Sequence, residues 1–183
     1  MLNNKKLITA TNVIILLNII MYVIQHNMKY GTIIFGLNMY FLQANFWFQP
    51  LSSMFVHGSY MHIFMNMFIL FQFGSMLEYF KGARFFLIFY LLGGIICSLL
   101  SFVFIYYFSP ESNLIGASGA ICLLLGYIAY VDKMQRKGLL IWILLISFAP
   151  LVLGEHIAWF AHIIGFCLGF LYALFSFRLF RKK

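Results

Sequence analysis

The chain has 183 residues, of which 64% are hydrophobic and 9% charged, with a mean hydropathy of +0.97. A soluble domain of this length has too little interior to hide that much apolar surface, which excludes a soluble enzyme or binding module and points to an integral membrane protein. The formal net charge of +8 raises nucleic acid as a partner, a question that charge placement answers.

A spanning helix needs ~20 apolar residues, fewer where an end is buried in protein. Six stretches qualify: residues 8–25, 61–79, 84–107, 114–131, 139–153 and 156–177. They predict an all-α bundle of six transmembrane helices forming one domain over residues 1–183, with no internal repeat or low-complexity tail. The first run follows a basic start without a small-residue cleavage site, so it reads as an uncleaved first span. Between spans one and two, the long connection from His26 to Tyr60 holds Gly31, Gly36 and Pro50. It also carries Phe46, Trp47 and Phe48, and is too apolar for a solvated loop. It reads as an interfacial or partly inserted segment. The fourth and fifth runs are short, which places their ends below the membrane surface. Cys97, Cys122 and Cys167 all fall inside apolar runs and read as packing residues, not as a disulfide framework.

With both termini cytoplasmic, Lys5, Lys6, Lys81, Arg84, Lys133, Arg136, Lys137, Arg178, Arg181, Lys182 and Lys183 lie inside. Only Lys29 lies outside. Eleven of the 12 basic residues on one side is the distribution the positive-inside rule expects. The charge therefore reports topology and contact with the lipid bilayer, and no nucleic acid is implied.

Polar side chains within spans are costly and mark candidate function. On span two, "HGSYMHIFMNM" carries His57, His62 and Asn66, the last two four apart on one helical face. On span four Ser118 follows the outer loop "SPESN" by a few residues. On span six His162 stands a similar distance past Gly154 and Glu155. At ~1.5 Å rise per residue these groups share a depth of roughly 5–12 Å below the outer surface. The face of span four that holds Ser118 continues through Cys122, Gly126 and Ala129. The face of span six that holds His162 continues through Gly165, Gly169 and Ala173. Two facing stripes of small residues let helix backbones approach closely. Serine and imidazole at matching depth then form a nucleophile and its general base. Unpaired N–H groups at the start of span four, with side chains of His62 and Asn66, offer donors for an oxyanion. No aspartate lies near His162, so the pair is expected to work as a dyad. Glu155, in the outer loop, and Asp132, at the cytoplasmic end, are poorly placed as a third member.

With "GASGA" (116–120), "HGSYMHIFMN" (57–66) and "AHIIGFCLG" (161–169) on spans four, two and six, the chain resembles the rhomboid intramembrane serine proteases of compact six-span bacterial type. The resemblance covers nearly the whole chain. It implies Ser118 as nucleophile, His162 as base, and an oxyanion hole of His62, Asn66 and the Ser118 backbone N–H. It implies supporting roles for His57, Gly116, Gly119, Gly165 and Gly169. Glu78 is implied to be a structural carboxylate, here expected to pair with Lys81 or Arg84. The long first connection would be the half-inserted element, and span five with its following loop the substrate gate and cap. The implied reaction is hydrolysis of single-span membrane proteins near the outer end of their transmembrane segments. It needs no cofactor or metal and would take place in a bacterial cytoplasmic membrane. Two positions depart from the family pattern. Cys122 stands where many members stack an aromatic on the histidine, and "FWFQP" (46–50) lacks the arginine many carry there.

Other readings remain open from the residues alone. Ser118 by itself fits a packing serine, and two histidines facing across a bundle could ligate haem. A transporter would show an inverted repeat with interrupted helices, which the sequence does not. An inactive relative that binds transmembrane helices would ordinarily lack the serine or the histidine, and both are present.

Overall fold

A computed structural model of the chain describes residues 8–152 and 158–180. Lys5, Lys6, Arg181, Lys182 and Lys183, which entered the charge count, lie outside the described residues, as do Gly154, Glu155 and His156. Among the described residues there are ten α-helices. These are α1 (Ala10–His26), α2 (Gly31–Phe35), α3 (Tyr40–Gln43), α4 (Gln49–Ser52), α5 (Tyr60–Ile69), α6 (Ser75–Lys81), α7 (Ala83–Phe108), α8 (Ser118–Val131), α9 (Lys133–Val152) and α10 (Trp159–Phe180). A π-helical turn, Leu70–Gly74, joins α5 to α6 in one helix over Tyr60–Lys81. Strand-like pairing among the described residues is confined to a single bridge between Leu37 and Leu114.

By length and composition, three helices among the described residues can cross a membrane: Tyr60–Lys81, Ala83–Phe108 and Trp159–Leu179. Helices α1 and α8 are shorter apolar helices. The fourth run starts later than expected, because residues 113–117 form a non-helical approach and the helix begins at Ser118. The fifth starts earlier, at Lys133, and reaches 20 residues.

Helix α8 is the centre of the bundle. Every residue from Ala120 to Ala129 is buried, the all-round burial expected of a uniformly apolar helix. Helices α7, α9 and α10 pack around it. Their outward faces, such as Leu92, Ile96 and Val103 on α7 and Leu144 and Leu145 on α9, stay exposed and apolar, as suits lipid.

Glu78 does not pair with Lys81 or Arg84. Its carboxylate accepts hydrogen bonds from the backbone N–H groups of Ala10 and Thr11 (2.8 Å each) and from Thr11 Oγ1 (2.7 Å). The first-turn N–H groups of α1 have no intrahelical partner and carry the positive end of the helix dipole, so a carboxylate is drawn there. Lys81 instead sits over the rings of Phe177, Tyr127 and Phe85, at 5.6, 5.9 and 6.0 Å from their centroids, where cation–π attraction holds it.

The turn between α8 and α9 is closed from both sides. Arg136 donates to the carbonyls of Ala129 (2.8 Å) and Tyr130 (3.0 Å) at the end of α8. Asp132 accepts from the Gln135 side chain (2.8 Å) and from backbone N–H groups of the first turn of α9. These bonds hold its carboxyl below the usual carboxylate range, the Gln135 side chain contributing most.

The connection from His26 to Tyr60 is ordered by amides. Asn38 donates to Ile33 O and Asn113 Oδ1 (2.8 Å each), Asn113 donates to Thr32 O (3.0 Å), and Gln49 donates to Ile34 O (3.1 Å). Short helices that cannot satisfy their own ends are thereby closed with side chains. Trp47 and Phe48 project outward, 61% and 45% exposed, as interfacial aromatics do.

Replacing Glu78 by Ala leaves three α1 donors without their acceptor and is expected to cost about 2 kcal/mol. Lys81→Ala is expected to cost less than half as much. Unfolding of the two variants in mixed micelles against wild type measures the difference, and equal losses would contradict the capping role.

Candidate active site

Three helix N-termini converge. Ser118 is the first residue of α8, His162 the fourth of α10, and His62 the third of α5. What draws α8 and α10 together is visible in their glycines. A Cβ at Gly165 would strike the Gly119 carbonyl, one at Gly169 the Leu123 carbonyl, and one at Gly126 the Phe166 carbonyl. The two backbones touch along about two turns of α8, and Ala129 and Ala173 end the seam fully buried. The small-residue stripes therefore face each other.

At the open end of this seam, Ser118 Oγ and His162 Nε2 are 2.9 Å apart. Both residues are half-buried. The haem alternative requires room at His162 Nε2, and Ser118 Oγ occupies that position. Cys122 lies one turn beyond Ser118, buried, its Cβ 3.3 Å from where a Gly165 Cβ would stand.

Gly116 sits at φ +114°, a region open to glycine, and a Cβ there would stand 2.8 Å from His62 Nε2. The missing side chain lets the His62 ring reach the serine's approach segment. That segment is fixed from the other side by Gly116 N–H donating to Ser53 O (2.9 Å) and by the Leu37–Leu114 bridge (2.8 and 2.9 Å). The first intrahelical bond of α8 runs from Ile121 N–H to Ala117 O. The N–H groups of Ser118, Gly119 and Ala120 are therefore left without a helical acceptor.

Gly58 N–H donates to His62 Nδ1 at 3.4 Å, which leaves the proton on Nε2, the nitrogen beside Gly116. Asn66 is buried, and its amide donates to the His62 carbonyl of its own helix at 2.8 Å. Its second N–H remains for another acceptor.

His57 is fully buried. Its ring lies edge-on to His62, centroids 5.0 Å apart, and its Nδ1 faces Phe55 O at 3.3 Å. Its main chain is gripped by Gln25 near the end of α1. The Gln25 amide donates to His57 O, and His57 N–H donates back to Gln25 Oε1 at 3.0 Å. Gln25 was not singled out in the sequence, because a glutamine at the end of an apolar run looks like an interfacial residue.

Ser147 of α9 was missed as well. Its hydroxyl lies 3.5 Å from His162 Nδ1 and is fully buried.

A rhomboid domain model matches residues 44–179, well over half of the chain. The chain belongs to the rhomboid family. The match includes all three helices that carry the convergent polar residues. The rhomboid protease GluP of Bacillus subtilis (strain 168) is 37% identical over 91 residues. Those residues make up 50% of this chain and 17% of GluP, so this rhomboid-family chain aligns with only a small part of that relative.

Gly165→Ala and Gly169→Ala are each expected to destabilise the bundle by about 1–3 kcal/mol, since the added methyl overpacks a backbone contact. Gly138 on α9 has nothing within 4 Å of a built Cβ, and Gly138→Ala is expected to stabilise by roughly 0.5–1 kcal/mol. Opposite signs in denaturant unfolding are the expected result.

Proposed function

We propose that this rhomboid-family chain is an intramembrane serine endopeptidase that cuts transmembrane segments of single-span membrane proteins near their outer end. The observation that carries the reading is the 2.9 Å contact between Ser118 Oγ and His162 Nε2, at an end of the bundle where free N–H donors converge. Membership of the rhomboid family and the likeness to a relative named as a protease support it.

In this reading Ser118 Oγ attacks the scissile carbonyl while its proton passes to His162 Nε2. The tetrahedral oxyanion is held by the Ser118 N–H, His62 Nε2–H and the spare Asn66 N–H. His162 then protonates the leaving amine, and water activated by the same imidazole hydrolyses the acyl-enzyme. His57 and Gly116 support the His62 ring, and Gly119, Gly165 and Gly169 supply the close helix contact. The site opens outward, six helices span a bacterial cytoplasmic membrane with both termini inside, and α9 flanks the substrate's route. The aromatic connection before α5 rests in the outer leaflet. The chemistry calls for no cofactor or metal.

Purified protein in liposomes is expected to cleave a model single-span substrate and to be labelled by a fluorophosphonate. Ser118→Ala should abolish both. His162→Ala should lose roughly 10²–10⁴-fold in kcat, and His62→Ala about 10²–10³-fold, as for an oxyanion donor. Undiminished cleavage by Ser118→Ala or His162→Ala would sink the mechanism. A wild type that binds the substrate without cleaving it or taking the label would identify a helix-binding relative instead.

A further inference from the structure

Helix α9 touches the bundle along a narrow stripe. Leu139, Ile143 and Ser147, spaced by four residues, are buried, whereas Leu140, Ile141, Leu144, Leu145 and Phe148 are exposed. Among the described side chains the stripe is apolar until its last member. A hydroxyl placed at 0% exposure is costly unless it has a partner, and the partner on offer is His162 Nδ1 at 3.5 Å. The Phe148 ring, next in the chain, meets Trp159 at the start of α10 with centroids 5.7 Å apart. The end of α9 is thus clasped to the helix that carries the histidine.

The ring's chemistry then fixes the direction of the bond. If Nε2 takes the Ser118 proton, it must present a lone pair there, and the resting proton belongs on Nδ1. A half-buried Nδ1–H needs an acceptor. The chain has four acids, and three are engaged or remote. Glu78 binds the start of α1, Asp132 closes the α8–α9 turn, and Glu111 is exposed in the outer loop. The fourth, Glu155, lies outside the described residues.

We infer that Ser147 positions the general base: its hydroxyl oxygen accepts the Nδ1 proton of His162 and holds the ring in the tautomer and rotamer that aim Nε2 at Ser118. The inference rests on the reading of Ser118 and His162 as nucleophile and base. Ser147 touches neither substrate nor reacting atoms, so it is a positioning residue. Because α9 is attached by one stripe, the bond also ties the orientation of the base to the seating of that helix. A displaced α9 leaves His162 free to rotate or to change tautomer.

The test uses full-length protein in liposomes, with cleavage kinetics, fluorophosphonate labelling and unfolding measured together. Ser147→Ala is expected to lower kcat about tenfold, the size of one ordinary hydrogen bond, with KM unchanged and the unfolding midpoint slightly lowered by the lost buried bond. Ser147→Thr and Ser147→Val have nearly the same shape and differ in the hydroxyl. Any disturbance from the added methyl is common to both, and Thr is expected to turn over several-fold faster than Val. Glu155→Gln is expected to keep wild-type kcat. Wild-type kcat in Ser147→Ala, equal rates for Thr and Val, or a loss in Glu155→Gln alone would each overturn the inference while leaving the Ser118–His162 reading intact. A wild type that neither cleaves nor labels would overturn that reading itself.

Discussion

The contact on which the rest depends is the meeting of two helix backbones, at Gly165 against Gly119, Gly169 against Leu123 and Gly126 against Phe166. Lipid tails are as apolar as leucine, so no hydrophobic force presses α8 and α10 together within a bilayer. Dispersion at close range must do it, which requires the absence of side chains. That absence also sets the reach of the site. A serine hydroxyl and an imidazole are short groups, and they meet at 2.9 Å only because the helices beneath them have no side chains between them. The glycine seam is therefore at once the packing of the core and the ruler of the site.

The other walls of the site are held differently. His62 is set by a glycine with φ +114° on one side and by the edge of His57 on the other. His57 in turn is gripped through its main chain by Gln25. The segment that leads into Ser118 is tied to the connection from α1 by paired amides at Leu37 and Leu114 and by the Ser53 carbonyl. Hydrogen bonds serve here because the backbone is irregular, and irregular backbone inside an apolar molecule must find partners. The aromatic connection thus has a structural part to play that its membrane-facing surface does not reveal.

The legible parts of the sequence were those where rarity or spacing carries information. A histidine or asparagine in an apolar span stands out against its neighbours, and small residues at intervals of four announce a close helix contact. Both signals pointed to Ser118, His162 and the seam without coordinates. Glu78 was misread for the opposite reason. Lys81 and Arg84 are near it in the chain, whereas its true partners are 67 and 68 positions away. Two of them are backbone groups, which leave no mark in a sequence, and the third is the ordinary hydroxyl of Thr11. Gln25 and Ser147 escaped notice because glutamine at a helix end and serine in an apolar helix are ordinary. Their importance depends on which way a helix is turned, and beyond Gly138 α9 shows no polar face to say so. The short helices between α1 and α5 are below the length at which a period can be counted.

The position of Ser118 at the first residue of α8 follows from the solvent. Inside a helix every backbone N–H is already bonded, so a catalytic group at mid-span would have no main-chain donors beside it and no water. At the first turn three N–H groups are free, the helix dipole favours negative charge, and the residue is only half-buried. A serine placed one turn deeper, at Cys122, would lie fully enclosed against Gly165, with its backbone N–H committed to the helix. In the proposed reading, hydrolysis in a membrane confines the nucleophile to a helix end, and the seam below brings the base to that same level.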